Sequence, residues 1–263
     1  MEIGADRGAH TCLLLAYCEA TQGRLTVIEP NVTETLRKVV GSSPQITLLA
    51  EKSQTALPRV REQIDAVLLE GDLNYATVLG DLRGIADISR RMSTPFPLVF
   101  FANASWPYAR RDMYYDPDHM PEADRHRYDR SGMTPWSQGL EAGLINYPFA
   151  NAEQEGGARN GVLSAVEDFV NENSGLRLFT FPVNHGLGIV HSESSIAAAF
   201  VQHHLAIPMR MRQFLETLEL ARLNTILSEL RRRERMQGTS RIRRSLAHLA
   251  RRLGRGIIRT LEK

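Results

Sequence analysis

The chain has 263 residues, 43% of them hydrophobic and 24% charged, which is ordinary for a globular protein and enough to enclose a full core. No run approaches the ~20 consecutive apolar residues that a membrane-spanning helix needs. The opening MEIGADRGAH puts acidic residues and glycines where a signal peptide would have its apolar stretch, so a cytoplasmic protein is expected.

Short apolar runs alternate with helical patterns through the first half, which predicts parallel strands joined by crossover helices. Strands are expected at 1–4, 24–29, 45–50, 64–70 and 97–102, with helices near 9–21, 31–40, 54–62 and 74–92. The first helix holds the only cysteines, Cys12 and Cys18, read as two buried reduced thiols. Residues 103–157 show little periodicity and many Pro, Gly, Tyr and Arg. A helix from about Asn160 to Asn173 follows, and then strands at 176–182 and 186–191 around the tight connection Val183-Asn184-His185. The last strand should run antiparallel to the rest of a seven-stranded, doubly wound α/β sheet of the Rossmann-like kind.

From residue 209 the pattern is helical to the end, so the domains divide at 208. The tail holds 15 Lys and Arg against 5 Asp and Glu, leaving 17 against 25 for residues 1–208 out of totals of 32 and 30. An acidic body repels nucleic acid, so none is expected as a partner. Leu220, Leu223, Leu227 and Leu230 form a short heptad seam within 215–235, suited to a homodimer. MQGTS at 236–240 is expected to break the helix. Beyond it, 241–263 combine an apolar stripe with seven arginines, which suits either an anionic membrane surface or packing against the chain's own acidic body or a protein partner.

At the end of the first strand stands Glu2-Ile3-Gly4-x-x-x-Gly8. Gly4 and Gly8 allow a tight turn and a close ligand approach, and the following helix offers unpaired N–H groups to an anion. Glu29 ends the second strand 21 residues after Gly8, placed to accept hydrogen bonds from ribose hydroxyls. The glycine spacing is not G-x-G-x-x-G, which argues against a pyrophosphate cofactor. EIGADRGAHT, GRLTVIEP and IDAVLLEGDLNYATVLGDL together resemble the successive motifs of class I S-adenosylmethionine-dependent methyltransferases. They most resemble methyltransferase family 24, associated with glycans and sugar-bearing natural products. The likeness continues through WPYARRDMYY, EGGARNGVLSAVEDF and HGLGIV to about residue 192 and leaves the tail outside. Such relatives normally carry helices before the first strand. The resemblance therefore implies a chain shortened upstream or a cofactor cleft left open.

The resemblance implies that Glu2, Gly4, Gly8 and Glu70 line S-adenosylmethionine, that Glu29 holds its ribose, and that Ser53 lies near its adenine. A helix N-cap is the other reading of Ser53. The family pattern after the fourth strand resembles Ile-Asp-Gly-Asp-His, where this chain reads Leu69-Glu70-Gly71-Asp72-Leu73. After the fifth strand it resembles His-Asp, where this chain reads Ala102-Asn103. By the same resemblance Glu70, Asp72 and Asn103 would hold a divalent metal such as Mg. Leu73 and Ala102 supply neither a ligand nor a base. Asp72 is the expected general base, with His185 in the final hairpin as its partner. Asp72 as a turn cap and His185 as a surface residue are the structural alternatives.

The 103–157 insert holds both tryptophans and five of the seven tyrosines. Aromatic faces with polar tips suit stacking on sugar rings, so Trp106, Tyr108, Arg111 and Asp112 are expected to bind a glycan or glycoconjugate substrate. A lid folding around its own small core is the alternative. The function expected is methylation of a sugar hydroxyl on a glycan or glycoconjugate, at the inner membrane face if the tail binds lipid. A degenerate domain that binds cofactor or glycan without chemistry is the competing expectation.

Overall fold

The computed structural model describes residues 1–261, with side chains described for residues 1–236. Five strands run in parallel through the first half: β1 (Glu2–Ile3), β2 (Leu25–Ile28), β3 (Ile46–Leu49), β4 (Ala66–Leu69) and β5 (Leu98–Ala102). The helices between them are α1 (Ala9–Thr21), α2 (Glu34–Val40), α3 (Ser53–Ala56) with a 3₁₀ turn to Arg59, and α4 (Tyr75–Met92). Short β6 (Met113–Tyr114), β7 (Tyr128–Asp129) and β8 (Ala150–Ala152) form a separate three-stranded sheet in the order β6-β8-β7. Helix α5 (Val162–Glu172) then leads into β9 (Leu176–Phe181) and β10 (Leu187–Ser192). The large sheet has the order β3-β2-β1-β4-β5-β10-β9, and β10 alone runs against both its neighbours. Each of the seven strands predicted from the sequence is present, within two residues at either end.

The core divides by strand alternation, because successive side chains point to opposite faces of a sheet. Leu25 and Val27 face α1 and α2, with Leu15, Cys18 and Leu36. On the other face, Ile3, Val67, Leu69, Val99 and Phe101 meet α3, α4 and α5 through Leu57, Val78, Leu82, Ile85, Val166 and Phe169. Burial of the second cysteine is as expected, but Cys12 lies exposed on the outer side of α1, and both thiols are free. The six-residue spacing advances the chain by well over a helical turn and a half, so the two cannot share a face.

The insert is not the featureless loop that its composition suggested. Its small sheet is pinned to the large one where Leu73, after β4, pairs with Met113 of β6. Tyr108, Arg111, Asp112, Met113 and Tyr114 are all buried in it.

The C-terminal helix, α7 (Met209–Leu261), follows a short α6 (Ile196–Phe200) and runs through the expected break at 236–240. Its leucine seam is also used differently from the expectation of a dimer. Leu223 and Leu227 are 1% and 2% exposed and pack against Leu144 and Ile145 of the insert, with Leu230 beside them. The apolar stripe and arginines expected at 241–263 lie outside the residues whose side chains are described. Nearer the start of α7, Glu219 accepts backbone N–H bonds from Asn184 and His185 at 3.1 Å each, and Arg222 closes a salt bridge to it at 2.6 Å. Asn184 and His185 both have left-handed backbones, with φ of 51° and 68°. A conformation that side chains adopt at a cost is thus held by one buried carboxylate.

Arg222 and the two amides hold the Glu219 carboxyl down at about 2, from an ordinary 4.5. A depressed folded-state pKa stabilises the fold above the unfolded value and loses that contribution as pH falls through the folded one. Glu219→Gln should therefore destabilise the protein by about 1–3 kcal/mol at pH 7. Urea melts of both proteins at pH 7 and at pH 3 check this, and the gap between them should narrow at the lower pH. A gap that is constant with pH would show that Glu219 contributes packing and not charge.

Candidate functional site

The carboxyl ends of β1, β2 and β4 meet at one edge of the large sheet, where open parallel sheets receive their ligands. Gly4 has φ +86°, and a Cβ there would lie 2.5 Å from the backbone of Gly71 in the loop after β4. The glycine at position 4 therefore lets two loops touch. Gly8 has φ +85° and caps the start of α1, where a Cβ would press on Leu36 at 3.2 Å. Glu29 binds this loop directly. Its Oε2 accepts from the N–H groups of Ala5 and Asp6 at 3.0 Å, and its Oε1 from Asn31 N at 2.7 Å. An ionised carboxylate has about four lone-pair sites, so acceptor capacity remains for a ligand hydroxyl.

Glu2 is fully buried on β1. Its Oε2 accepts from Thr11 Oγ1 at 2.6 Å, while its Oε1 has no partner. Burial pushes this carboxyl up, partly offset by Thr11 and His10. Glu70 pairs with His10 Nδ1 at 2.8 Å, which joins the end of β4 to the first turn of α1. Glu2, Gly4, Gly8, Glu29 and Glu70 thus lie around one loop junction. A group with a buried orphan acceptor, a ribose-competent carboxylate and a glycine turn fits S-adenosylmethionine.

Asp72 follows in the β4 loop. Thr77 Oγ1 donates to its Oδ2 at 3.3 Å, and the backbone N–H of Tyr115 also reaches it. Burial raises its pKa above the usual carboxylate value, and the hydrogen bonds from Asn74, Thr77 and Tyr115 oppose that. Raising is what a carboxyl serving as a base near neutral pH needs. The cap of α4 is Asn74, whose side chain accepts from Thr77 N, so Asp72 is not the helix cap.

Ser53 is the first residue of α3 and not its cap, a position held by Lys52 without a side-chain bond. It is buried and bonds to Asp81 of α4. Asp81 was not expected. Burial, the proximity of Asp72 and the Ser53 hydroxyl, which acts in the opposite sense, leave it at about 7. Its signal in the sequence is an acid on the apolar face of α4, among Val78, Leu82 and Ile85.

In the expected metal set of Glu70, Asp72 and Asn103, the two carboxylates already have protein partners. Glu70 is engaged by His10 and Asp72 by Thr77, while Asn103 has a left-handed backbone with φ +63°. Among the described residues no group of three or more His, Cys, Asp or Glu side chains could hold a metal ion. The cause is local: the β4 carboxylate turns toward α1, where His10 supplies a proton donor. His185 is likewise occupied away from Asp72. Its Nδ1 lies 3.2 Å from the Trp106 carbonyl and its Nε2 3.2 Å from Arg222 of α7, an arrangement that fits a neutral ring donating from Nδ1.

The expected sugar-binding residues build the insert. Arg111, with no exposure, donates to the carbonyls of Ala152 and Gln138. Asp112, equally buried, accepts from Tyr75 N at 2.8 Å, Gly161 N at 2.7 Å and Tyr114 Oη at 2.9 Å. Tyr108 donates to Asn151 at 2.9 Å, and Trp106 packs between the main core and the α7 contact. Neither the Arg111 nor the Asp112 side chain reaches the surface, although Arg111 Nε is left without a hydrogen-bond partner. The aromatic groups that do reach solvent are Tyr115, Trp136, Tyr147 and Phe149.

Residues 1–94 match the family profile described as a methyltransferase domain, family 24. No curated protein sequence matches the chain significantly. Among solved structures, the S-adenosylhomocysteine-bound Podospora anserina methyltransferase PaMTH1 is 13% identical. The match covers 73% of this chain and 70% of that one, with a TM-score of 0.44. The glycopeptide N-methyltransferase MtfA, complexed with S-adenosylmethionine, is 14% identical over 73% and 85% of the two chains, with a TM-score of 0.38. The DhpI-SAM-HEP complex gives 11%, 72% and 75%, with a TM-score of 0.36. These structural likenesses are too distant to bear on the acceptor. The match to the methyltransferase-domain profile falls on the glycine loop, on Glu29 and on the β4 loop with Asp72.

Proposed function

We propose that this protein transfers a methyl group from S-adenosylmethionine to a hydroxyl of a sugar-bearing acceptor, with Asp72 as general base. The observation that carries this reading is the carboxylate pair at one sheet edge. Glu29 at the end of β2 is bonded by three backbone amides and keeps acceptor capacity for a ligand hydroxyl, while burial raises the Asp72 carboxyl after β4. One carboxylate is thus placed to hold the cofactor and the other to take a proton.

When bound, S-adenosylmethionine supplies an electrophilic methyl group on a sulfonium. Glu29 offers its remaining acceptor capacity to the ribose hydroxyls, and the loop Gly4–Gly8 lets the backbone approach. Glu2, whose Oε1 is buried and unpartnered, provides an acceptor for the ammonium end. At the acceptor, Asp72 would take the hydroxyl proton as the oxygen bonds to the methyl carbon, while the carbon–sulfur bond breaks with its electron pair going to sulfur and S-adenosylhomocysteine leaves. Thr77 and the Tyr115 amide keep that carboxylate aimed before the reaction. The exposed aromatic groups Trp136, Tyr147 and Phe149 give the insert flat apolar faces suited to sugar C–H surfaces. No step is assigned to a metal, since Glu70 and Asp72 are engaged by His10 and Thr77.

Glu29→Ala should weaken S-adenosylmethionine binding by about 1–3 kcal/mol, since a ribose hydroxyl loses its acceptor and the glycine loop loses its tether. Calorimetry measures this, and an unchanged dissociation constant would remove Glu29 from the site. Asp72→Asn should lower kcat on a sugar acceptor by about 10²- to 10⁴-fold with cofactor affinity preserved. Rate measurements in that variant also separate catalysis from a binding-only domain. Full activity in Asp72→Asn would sink the assignment of the base.

A further inference from the structure

Tyr115 follows directly after β6, and three contacts fix where it stands. Its own amide bonds to Asp72 in the loop after β4. Two residues before it, Met113 N donates to Leu73 O of the same loop at 3.0 Å. One residue after it, Asp116 reaches Lys52 at 3.5 Å in the loop after β3, beside Ser53. Residues 113–116 therefore form a strap running from the β4 loop to the β3 loop, across the edge where β1 and β2 end.

The charges around the tyrosine agree with this placement. Partial desolvation raises its phenol, and the carboxylates that raise it further are Asp72, Asp6, Glu70 and Glu29. Two of these, Asp6 and Glu29, belong to the glycine loop and its tether; the other two end β4. A hydroxyl within electrostatic reach of all four agrees with the course of the strap from the β4 loop to the β3 loop.

The ring itself is held and still open. Tyr114 pairs with Ala150 in the β6-β8 ladder, so Tyr115 and Phe149 are the next cross-strand pair. Their centroids are 6.1 Å apart and their planes are 85° to one another. Cross-strand aromatic pairs stabilise a sheet and fix ring orientation. Yet Tyr115 remains 60% exposed, an unusual state for an aromatic group so closely fastened. The main core does not need it. A fixed, exposed ring over a cleft lined by acceptors for hydroxyl and amino groups is what a flat heterocycle with a ribose would recognise.

We infer that Tyr115 is a ligand-binding residue contributed by the insert: its ring packs against the nucleoside end of the cofactor, with Phe149 as its support. This rests on the reading of the cleft as an S-adenosylmethionine site and adds the nucleoside contact to it. The insert would then serve the cofactor as well as the acceptor, roofing a cleft whose floor is the glycine loop. Because Tyr115 is exposed and outside the core, its truncation should leave the fold intact.

Calorimetry on the full chain with S-adenosylhomocysteine, and separately with adenosine, tests the inference in three proteins: wild type, Tyr115→Phe and Tyr115→Ala. Tyr115→Ala should lose about 5- to 150-fold in affinity for both ligands, the range found when one aromatic group stacking on a base is removed. Tyr115→Phe, which keeps the ring, should stay within about 3-fold of wild type, since only an exposed hydroxyl is lost. Phe149→Ala should fall between the two. Wild-type binding that Tyr115→Ala leaves unchanged overturns the inference while the cofactor site stands. A loss confined to S-adenosylhomocysteine, with adenosine affinity unaltered, also overturns it, because the contact would then lie at the amino-acid end. Failure of the wild type to bind either ligand overturns the reading of the cleft itself, and the inference with it.

Discussion

One buried carboxylate joins the parts of this protein that chemistry requires to be together. Asp112 has no exposed surface and accepts three hydrogen bonds. Two come from the first residue of α4 and from the cap of α5, so the carboxylate sits at the N-termini of two helices. Orphan amides and the positive ends of two helix dipoles stabilise a negative charge there. The third bond comes from Tyr114 of the insert. Burial works against the charge, and its hydrogen-bond donors work for it. The result fixes the start of α4, and with it the Asp72–Asn74 turn, to the same strap that carries Tyr115. Moving the insert would move the proposed base.

A second carboxylate does comparable work at the far edge of the sheet. Glu219 holds the left-handed hairpin between β9 and β10, and through Leu223 and Leu227 the same helix presses on Leu144 and Ile145 of the insert. The insert is therefore tied on one side to the cofactor edge and on the other to α7. His185 lies at this junction, bonded to Trp106 and Arg222. Both of its ring nitrogens are engaged there and help to orient the hairpin.

How much of this was legible in the chain follows from the range of each interaction. The strands and most helices were readable because alternation and 3.6-residue spacing are local consequences of backbone geometry. Gly4, Gly8 and Glu29 were readable because strand ends and glycine turns leave a short-range signature. Arg111 and Asp112 were not. A charged pair in an aromatic loop looks the same whether it faces substrate or is buried at two helix N-termini 37 and 49 residues away in sequence. The contact of Leu223 and Leu227 with the insert was hidden for the same reason. A heptad stripe states that a face will be covered but not by what, and here an internal partner was available.

Tyr115 shows the limit most clearly. It was one of five tyrosines in the insert, and composition gave no ground to prefer it to Tyr108 or Tyr114. What separates them is register. Tyr108 and Tyr114 spend their hydroxyls on Asn151 and Asp112 inside the small sheet, while the next residue in the strand points the other way and is left outside. An insert that must fold around its own polar core has few aromatic groups left for a ligand. The ones that remain are those the strand alternation turns outward, and of these Tyr115 stands on the strap that joins the β4 loop to the β3 loop.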